Sequence, residues 1–410
     1  PIHCPTPADP MTTTELPEHL SKPALRRVHP VPLQKDNQVF LGLRDPCMLR
    51  DQMMVIPPQA FQVMQFFNGE NSIAQIATTL KIPDPAQLVE LVRKLDEFGL
   101  LWGPTCEELE NVKKASLRTA GAFPKGATAA LGEDPAAIRA QLEKWIDEAE
   151  DAEIDEPIVG LVACHLDYAR GHPIYAASYR AIAKGPKPDR VVVLGTNHFG
   201  LGDGIVVSDL GYESPLGRVE CDRGILESLR GSLGDKAFID ILDHLPEHSI
   251  QVHLPWIQHL FGNVPVVSAL VPDPVVGLIA DDGKRASVDE FVGALESALA
   301  TAGGRTLFIA SADMSHVGPA FGEPTPVTDQ RRREVEQHDR AMMRAFIEGP
   351  DALVAQMGSL KNPTRWCSVG NMVAAARLAK PSAIELIDYR QASDDQGTAL
   401  VSSASMVFLA

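Results

Sequence analysis

Hydrophobic positions along this chain change their spacing from one region to the next, and each change predicts a different kind of element. Residues 1–36 carry many Pro and Thr and no apolar period, so a tail or loosely attached arm is expected there. From Val39 short apolar runs begin. Val39 to Leu43 and Gln52 to Ile56 read as strands about the turn Arg44-Asp45-Pro46, and Pro57-Pro58 opens a helix that ends near Asn68-Gly69. Ser72 with Gln75 makes a capping box ahead of a second helix, Ile73 to Leu80. A third helix has Leu88, Leu91, Val92, Leu95 and Phe98 on one face; Gly99 stops it, and Leu100-Leu101-Trp102 returns as a strand. Residues 37–104 are therefore expected to form a small α+β unit like a winged helix.

A connector containing Gly, Ala and Thr follows, residues 105–134, and then the period changes again. A helix from Pro135 to about Ala149 repeats Ile138, Leu142, Trp145 and Ile146 at helical spacing. Beyond it, nearly continuous apolar runs (Ile158 to Cys164, Val191 to Leu194, Val264 to Val271, Thr306 to Ala310) alternate with helices at about His172 to Ala183, His248 to Phe261 and Ser287 to Ala302. Runs of that kind suit strands buried on both faces, so residues 135–410 are expected to be an α/β domain, a mainly parallel sheet with helices on both faces.

Composition narrows the function. Hydrophobic residues make up 45% and charged residues 22%, as in an ordinary globular protein. The formal charge of −17 opposes binding to nucleic acid and anionic membranes, and the third helix of the small unit sets Glu90, Asp96 and Glu97 against Arg93 and Lys94, without a basic footprint for phosphates. No apolar run approaches the roughly 18 residues of a membrane helix. Six cysteines lie scattered without C-x-x-C pairs, which argues against a disulfide framework or a zinc ribbon. A soluble, cytoplasmic protein whose partners are small molecules or proteins is expected.

The candidate chemistry lies at the strand ends, where doubly wound sheets bind ligands. The first run ends in His165, the second in Gly195-Thr196-Asn197-His198, and the fourth in Ser311-Ala312-Asp313-Met314-Ser315-His316. Three strands thus deliver a histidine to one edge, a set that can hold a metal or divide into ligands and a base. Glu247 and His248 stand at a helix entrance, where they can act as acid, base or orienting groups. His248 and His253 are separated by about 140° on a helical wheel, which excludes an H-E-x-x-H zinc site. His244, His259 and His338 are expected to be structural, while His253 stays open between a structural role and one in the cleft. Cys367 precedes a helix start, which favours thiolate, a nucleophile and a soft metal ligand. Gly200-Leu201-Gly202-Asp203-Gly204 reads as a turn into a strand from Ile205 to Ser208. There is no Walker loop and no G-x-S-x-G elbow.

Taken together, Gly121-Ala122-Phe123, the His165 strand, Leu194 to His198, Glu247-His248-Ser249-Ile250, His253-Leu254-Pro255, Ser311 to Gly318 and Cys367 resemble the Memo family, also known as protein B of the AmmeMemoRadiSam system, over residues 118–410. Memo proteins are related to the class III extradiol dioxygenases of the LigB type, so the resemblance implies that parallel-sheet fold. It also implies His165, His198 and Cys367 as ligands of iron or copper, with His316 beside the metal moving protons. In the dioxygenases a carboxylate stands where Cys367 does. Three departures from the family pattern, Cys164-His165-Leu166-Asp167, Gln251 and Cys367-Ser368, are expected to touch the cleft. The segment from Val39 to Trp102 resembles the small PqqD-like modules that bind peptides or partner enzymes.

These features predict a non-haem metal redox protein, an oxygenase acting on a small aromatic or chelating substrate. Iron(II) is the leading cofactor, with copper or zinc as alternatives. Asp313, Glu247 and His248 would orient and polarise groups around the metal. Two other readings stay open: a metal-binding docking protein without turnover, recruited through residues 39–102, and a zinc-assisted hydrolase with an open fourth position.

Overall fold

A computed structural model describes residues 16–36, 38–200, 204–272 and 284–410. The chain divides into two compact units between Thr119 and Ala120.

The first unit holds a three-stranded antiparallel sheet, β1 (His29–Lys35), β2 (Gln38–Arg44) and β3 (Met54–Ile56), in that order. β1 corrects the expectation of an unstructured arm for its part of residues 1–36. Pro30 and Pro32 hid the strand, and both are tolerated because β1 is an edge strand whose outer side needs no ladder donors. Helices Pro58–Met64, Ile73–Leu80 and Ala86–Glu97 follow. The capping box forms as read, with the Ser72 side chain accepting from Gln75 N and the Gln75 side chain accepting from Ser72 N. Ile73, Ile76, Leu88, Val92 and Leu95 turn inward with Leu43, Met54, Ile56 and Leu101 to make one apolar cluster. Leu101 forms only an isolated bridge, to Leu25, instead of the strand expected there. The connector read from 105 is helical at first, over Pro104–Ala120, with Cys106 and Leu117 buried about three turns apart on one face.

The second unit is built on a mixed sheet. Its strands are β4 (Ala122–Phe123), β5 (Ile158–Ala163), β6 (Arg190–Thr196), β7 (Val206–Val207), β8 (Gly211–Tyr212), β9 (Val266–Val271), β10 (Thr306–Ser311), β11 (Asp313–Val317), β12 (Ala383–Ser393) and β13 (Leu400–Leu409). β4 and β8 pair separately as a small parallel ribbon. The centre of the large sheet is parallel, in the order β5-β10-β6-β9, while β7, β13 and β12 add antiparallel edges. The buried apolar runs are these central strands. Period-2 alternation sends Val162, Val192, Leu194, Ala269, Phe308 and Ala310 into one cluster with residues of helices Arg223–Leu233, Val288–Ala302 and Val369–Ala379. Against the other face packs helix Tyr168–Ala183, tied down where Ser178 Oγ bonds Ser405 Oγ at 2.8 Å.

β13 decides the shape of the strand-end edge. One side of it pairs with β12 along its length; the other pairs with β11 over Leu400–Ser403 and with β5 over Met406–Leu409. β11 therefore continues beyond the carboxyl end of β5, which brings Asp313 to His165. The sequence pattern placed Asp313 to His316 only at the end of the fourth run, not in a strand of their own, and left the C-terminal hairpin unassigned. The helix expected from His248 starts instead at Leu254, with Pro255 in its first turn, where a missing N–H is harmless. Residues 201–203 of the glycine-rich turn lie outside the described residues; the strand after it is β7, shorter than expected.

Candidate metal centre

His165, two residues past β5, is 1% exposed. Its backbone N–H donates to Asp313 Oδ1 at 3.2 Å, and its ring Nδ1 lies 3.2 Å from the Ser311 carbonyl oxygen. A carbonyl only accepts, so Nδ1 carries the hydrogen and Nε2 keeps its lone pair. Burial, followed by the neighbouring imidazoles, pushes the ring's pKa well below its ordinary value, so it is neutral. His198, two residues past β6, uses the same device with a different acceptor: Nδ1 lies 3.1 Å from each Glu247 oxygen. Burial alone would lower its pKa, but the Glu247 carboxylate outweighs it and raises it well above the usual value.

Glu247 is the hub. It is 3% exposed and accepts the backbone N–H groups of His198 at 2.9 Å, His248 at 2.8 Å and Ser249 at 2.9 Å, with His248 Nδ1 at 3.2 Å. Burial opposes its ionisation, yet His198 and His248 hold its pKa well below the carboxylate range. This bonding places the His248 ring parallel to that of His198, with centroids 5.1 Å apart, and 5.4 Å from that of His165. One ligand nitrogen from each of His165, His198 and His248 lies within 4.8 Å of the others.

Cys367, just before helix Val369–Ala379, has Sγ 3.4 Å from His165 Nε2 and 3.1 Å from Ser368 Oγ. His316, on β11, has Nδ1 2.9 Å from the Met314 carbonyl oxygen and 3.1 Å from that of Arg365, so Nε2 is its accepting atom. Burial drives its pKa down to about 4. Asp313 is 2% exposed, with Oδ2 3.5 Å from His165 Nε2, and burial pushes its carboxyl up to about 7.

His165, His198, His248, Asp313 and His316 border a cleft of about 430 Å³, whose other walls include Tyr168, Phe199, Val252, Phe321, Val401 and Arg170, while Glu247 and Cys367 lie outside that lining. No periodic signal in the sequence marked those walls. Of the three departures, Leu166 and Asp167 line the cleft and Ser368 touches Cys367. Cys164 and Gln251 are buried outside the lining, correcting the expectation that each would touch it. His244, His253 and His259 do not line it; each ring bonds elsewhere, to Tyr212, Tyr179 and Glu143. His338 does not line it either.

A family model described as Memo-like protein matches residues 124–407. The chain belongs to the Memo family. The match begins after the small N-terminal unit. Among its relatives, a MEMO1 family protein of Thermus thermophilus is 29% identical over 289 residues, 68% of this chain and 79% of that protein. One of Methanococcoides burtonii is 28% identical, covering 60% of this chain and 85% of its own. One of Methanothermobacter thermautotrophicus is 28% identical, covering 67% and 94%. Membership agrees with the sheet and with the extent of resemblance read from the motifs.

Imidazoles whose Nδ1 atoms are committed to acceptors, a thiol beside one of them and a carboxylate behind another make a donor set that fits a first-row transition metal. Among the described residues, no helix is long and apolar enough to cross a membrane.

Proposed function

We propose that this Memo protein is a metal-dependent oxidoreductase, acting on a small aromatic or chelating substrate in the cytoplasm, with iron(II) as its metal. The observation that carries the reading is the arrangement of His165, His198 and His248, with ligand atoms within 4.8 Å of one another and two Nδ1 atoms held by acceptors. His165 and His198 would hold the metal, with His248 or Cys367 as the third ligand. When bound, the metal supplies one-electron chemistry and a Lewis-acidic site for a substrate oxygen. The chain's own groups do the rest. Glu247 fixes the His198 tautomer, His316 Nε2 is a neutral base for a substrate hydroxyl, and Asp313 is a buried carboxyl able to hold a proton beside His165. Tyr168, Phe199 and Phe321 give the cleft aromatic walls suited to a flat substrate and exclude water. The small unit, under this reading, recruits a peptide or partner protein, as PqqD-like modules do.

Anaerobic reconstitution with iron(II), metal analysis and oxygen uptake on candidate phenols test this. The expected result is stoichiometric iron and oxygen consumption, both lost in the double variant His165→Ala/His198→Ala. Iron retained unchanged by that variant would sink the reading. A cysteine beside three histidines also suits zinc, and a preparation that carries zinc and consumes water instead of oxygen would move the assignment to hydrolysis.

A further inference from the structure

Behind the cleft lies a carboxylate that the proposed chemistry does not use. Asp339, on helix Asp329–Glu348, is 0% exposed and has no cationic partner among the described residues. Its charge is met by hydrogen bonds alone. Oδ1 accepts from Ser315 Oγ at 2.5 Å and Trp366 Nε1 at 2.8 Å, and Oδ2 accepts from Tyr389 OH at 2.8 Å and Ser402 Oγ at 2.5 Å. A carboxylate offers about four lone-pair sites, so this one is saturated. The donors come from β11, from the segment before helix Val369–Ala379, from β12 and from β13, far apart in the chain.

Two of these donors immediately precede residues of the site: Ser315 comes before His316, which lines the cleft, and Trp366 before Cys367, which lies against His165. The segments that carry them are also joined to each other. Ser315 Oγ lies 2.7 Å from Thr364 Oγ1, and His316 N donates to the Thr364 carbonyl at 2.7 Å. The turn that delivers Cys367 needs such support. Lys361, Asn362 and Arg365 have φ of 58°, 46° and 59°, left-handed conformations that non-glycine residues keep only when their surroundings hold them. Asn362 supplies part of the hold, accepting from Trp366 N at 2.7 Å and donating to Trp366 O at 2.8 Å. Asp339 supplies the part that links this turn to β11.

We infer that Asp339 is a positioning residue, which sets the distance between His316 and Cys367 by gripping the side chain that precedes each. The role deepens the metal reading of the cleft and presupposes that His316 and Cys367 work there.

The test compares Asp339→Asn, which keeps the shape but removes the charge, with Tyr389→Phe, which removes one donor on the far side of the same carboxylate. Both are full-length chains studied at temperatures where circular dichroism shows them folded. In the metal-free chain, the readout is the alkylation rate of Cys367 by iodoacetamide, followed by peptide mass spectrometry. Asp339→Asn is expected to change that rate several-fold, and Tyr389→Phe to leave it as in the wild type. With cobalt(II) alone as the probe, Asp339→Asn is expected to bind about 10–100-fold more weakly and to lose the thiolate-to-cobalt absorption band, while Tyr389→Phe keeps both.

Wild-type labelling of Cys367 in Asp339→Asn would overturn the role, as would equal changes in the two variants. Should Asp339→Asn fail to fold, Ser315→Ala and Trp366→Phe each remove one donor from the cleft side and must then alter Cys367 labelling where Tyr389→Phe does not. A wild-type chain that takes up no cobalt overturns the metal reading instead, and the labelling result still decides Asp339.

Discussion

The two units bury different things. The first folds around an apolar cluster made of helix faces and the inner face of a short sheet; its buried polar residues, Arg26 and Asp45, lie 3.4 Å apart and settle each other. The second buries His165, His244, His253, Glu247, Asp313 and Asp339 as well as a larger apolar core. Desolvated ionisable groups cost stability unless hydrogen bonds meet them. The second unit carries that cost where strands end and the sheet opens into a cleft, as expected of a region selected for chemistry. The first shows the pattern of a region selected for folding or docking.

Acid offers the largest test of this contrast. Burial holds His244 down to about 4 and His253 to about 3, and His316 sits at about 4. In the unfolded chain each takes up a proton near about 6.5. Between those values the unfolded state binds more protons, so stability falls as pH falls. Asp313, at about 7, works in the opposite sense: the folded form binds its proton first and offsets one histidine. His165, held well below its ordinary value, and Asp339, raised by burial, add one group to each side, so two histidines remain unbalanced, worth about 3 kcal/mol per pH unit between about pH 6 and 4. Urea unfolding across that range should show the second unit weakening steeply. Trp102 fluorescence, reporting the first unit, should shift far less. Equal shifts in the two signals would end the comparison.

A smaller effect is expected from Glu247→Gln. It leaves the hub in place but weakens its hold on His198 Nδ1–H, so cobalt affinity should fall about 10–100-fold, with the Trp102 transition unmoved. Unchanged affinity would mean that the carboxylate serves only the backbone of residues 247–249. The smallest effect belongs to the first unit: Ser72→Ala removes half of the capping box and should cost about 1 kcal/mol there, visible as a lower urea midpoint for Trp102 and with no change in metal binding.

Much of the first unit was legible because its signals are local. Ser72 and Gln75 lie within one helical turn, and the helix faces follow from spacing alone. β1 escaped because its two prolines resemble those of a tail, and only its pairing with β2 reveals a strand. The central strands of the second unit were legible for the same local reason, and so was the placing of His165 and His198, since parallel strands share a direction and their ends share an edge.

Sequence by itself thus determined the helices of the first unit, the central strands of the second, the α/β class and the edge on which chemistry collects, because periodicity and strand direction act over a few residues. Tertiary structure alone decided which groups meet there. His248 joins the cluster because Glu247 holds an irregular turn where a helix was expected. Asp313 reaches His165 because β13 has room for β11 beyond β5. Cys367 approaches His165 across 202 residues of chain through the packing of a helix against the sheet. Contacts at such separations are fixed by how layers pack, and packing leaves no period in the sequence to read.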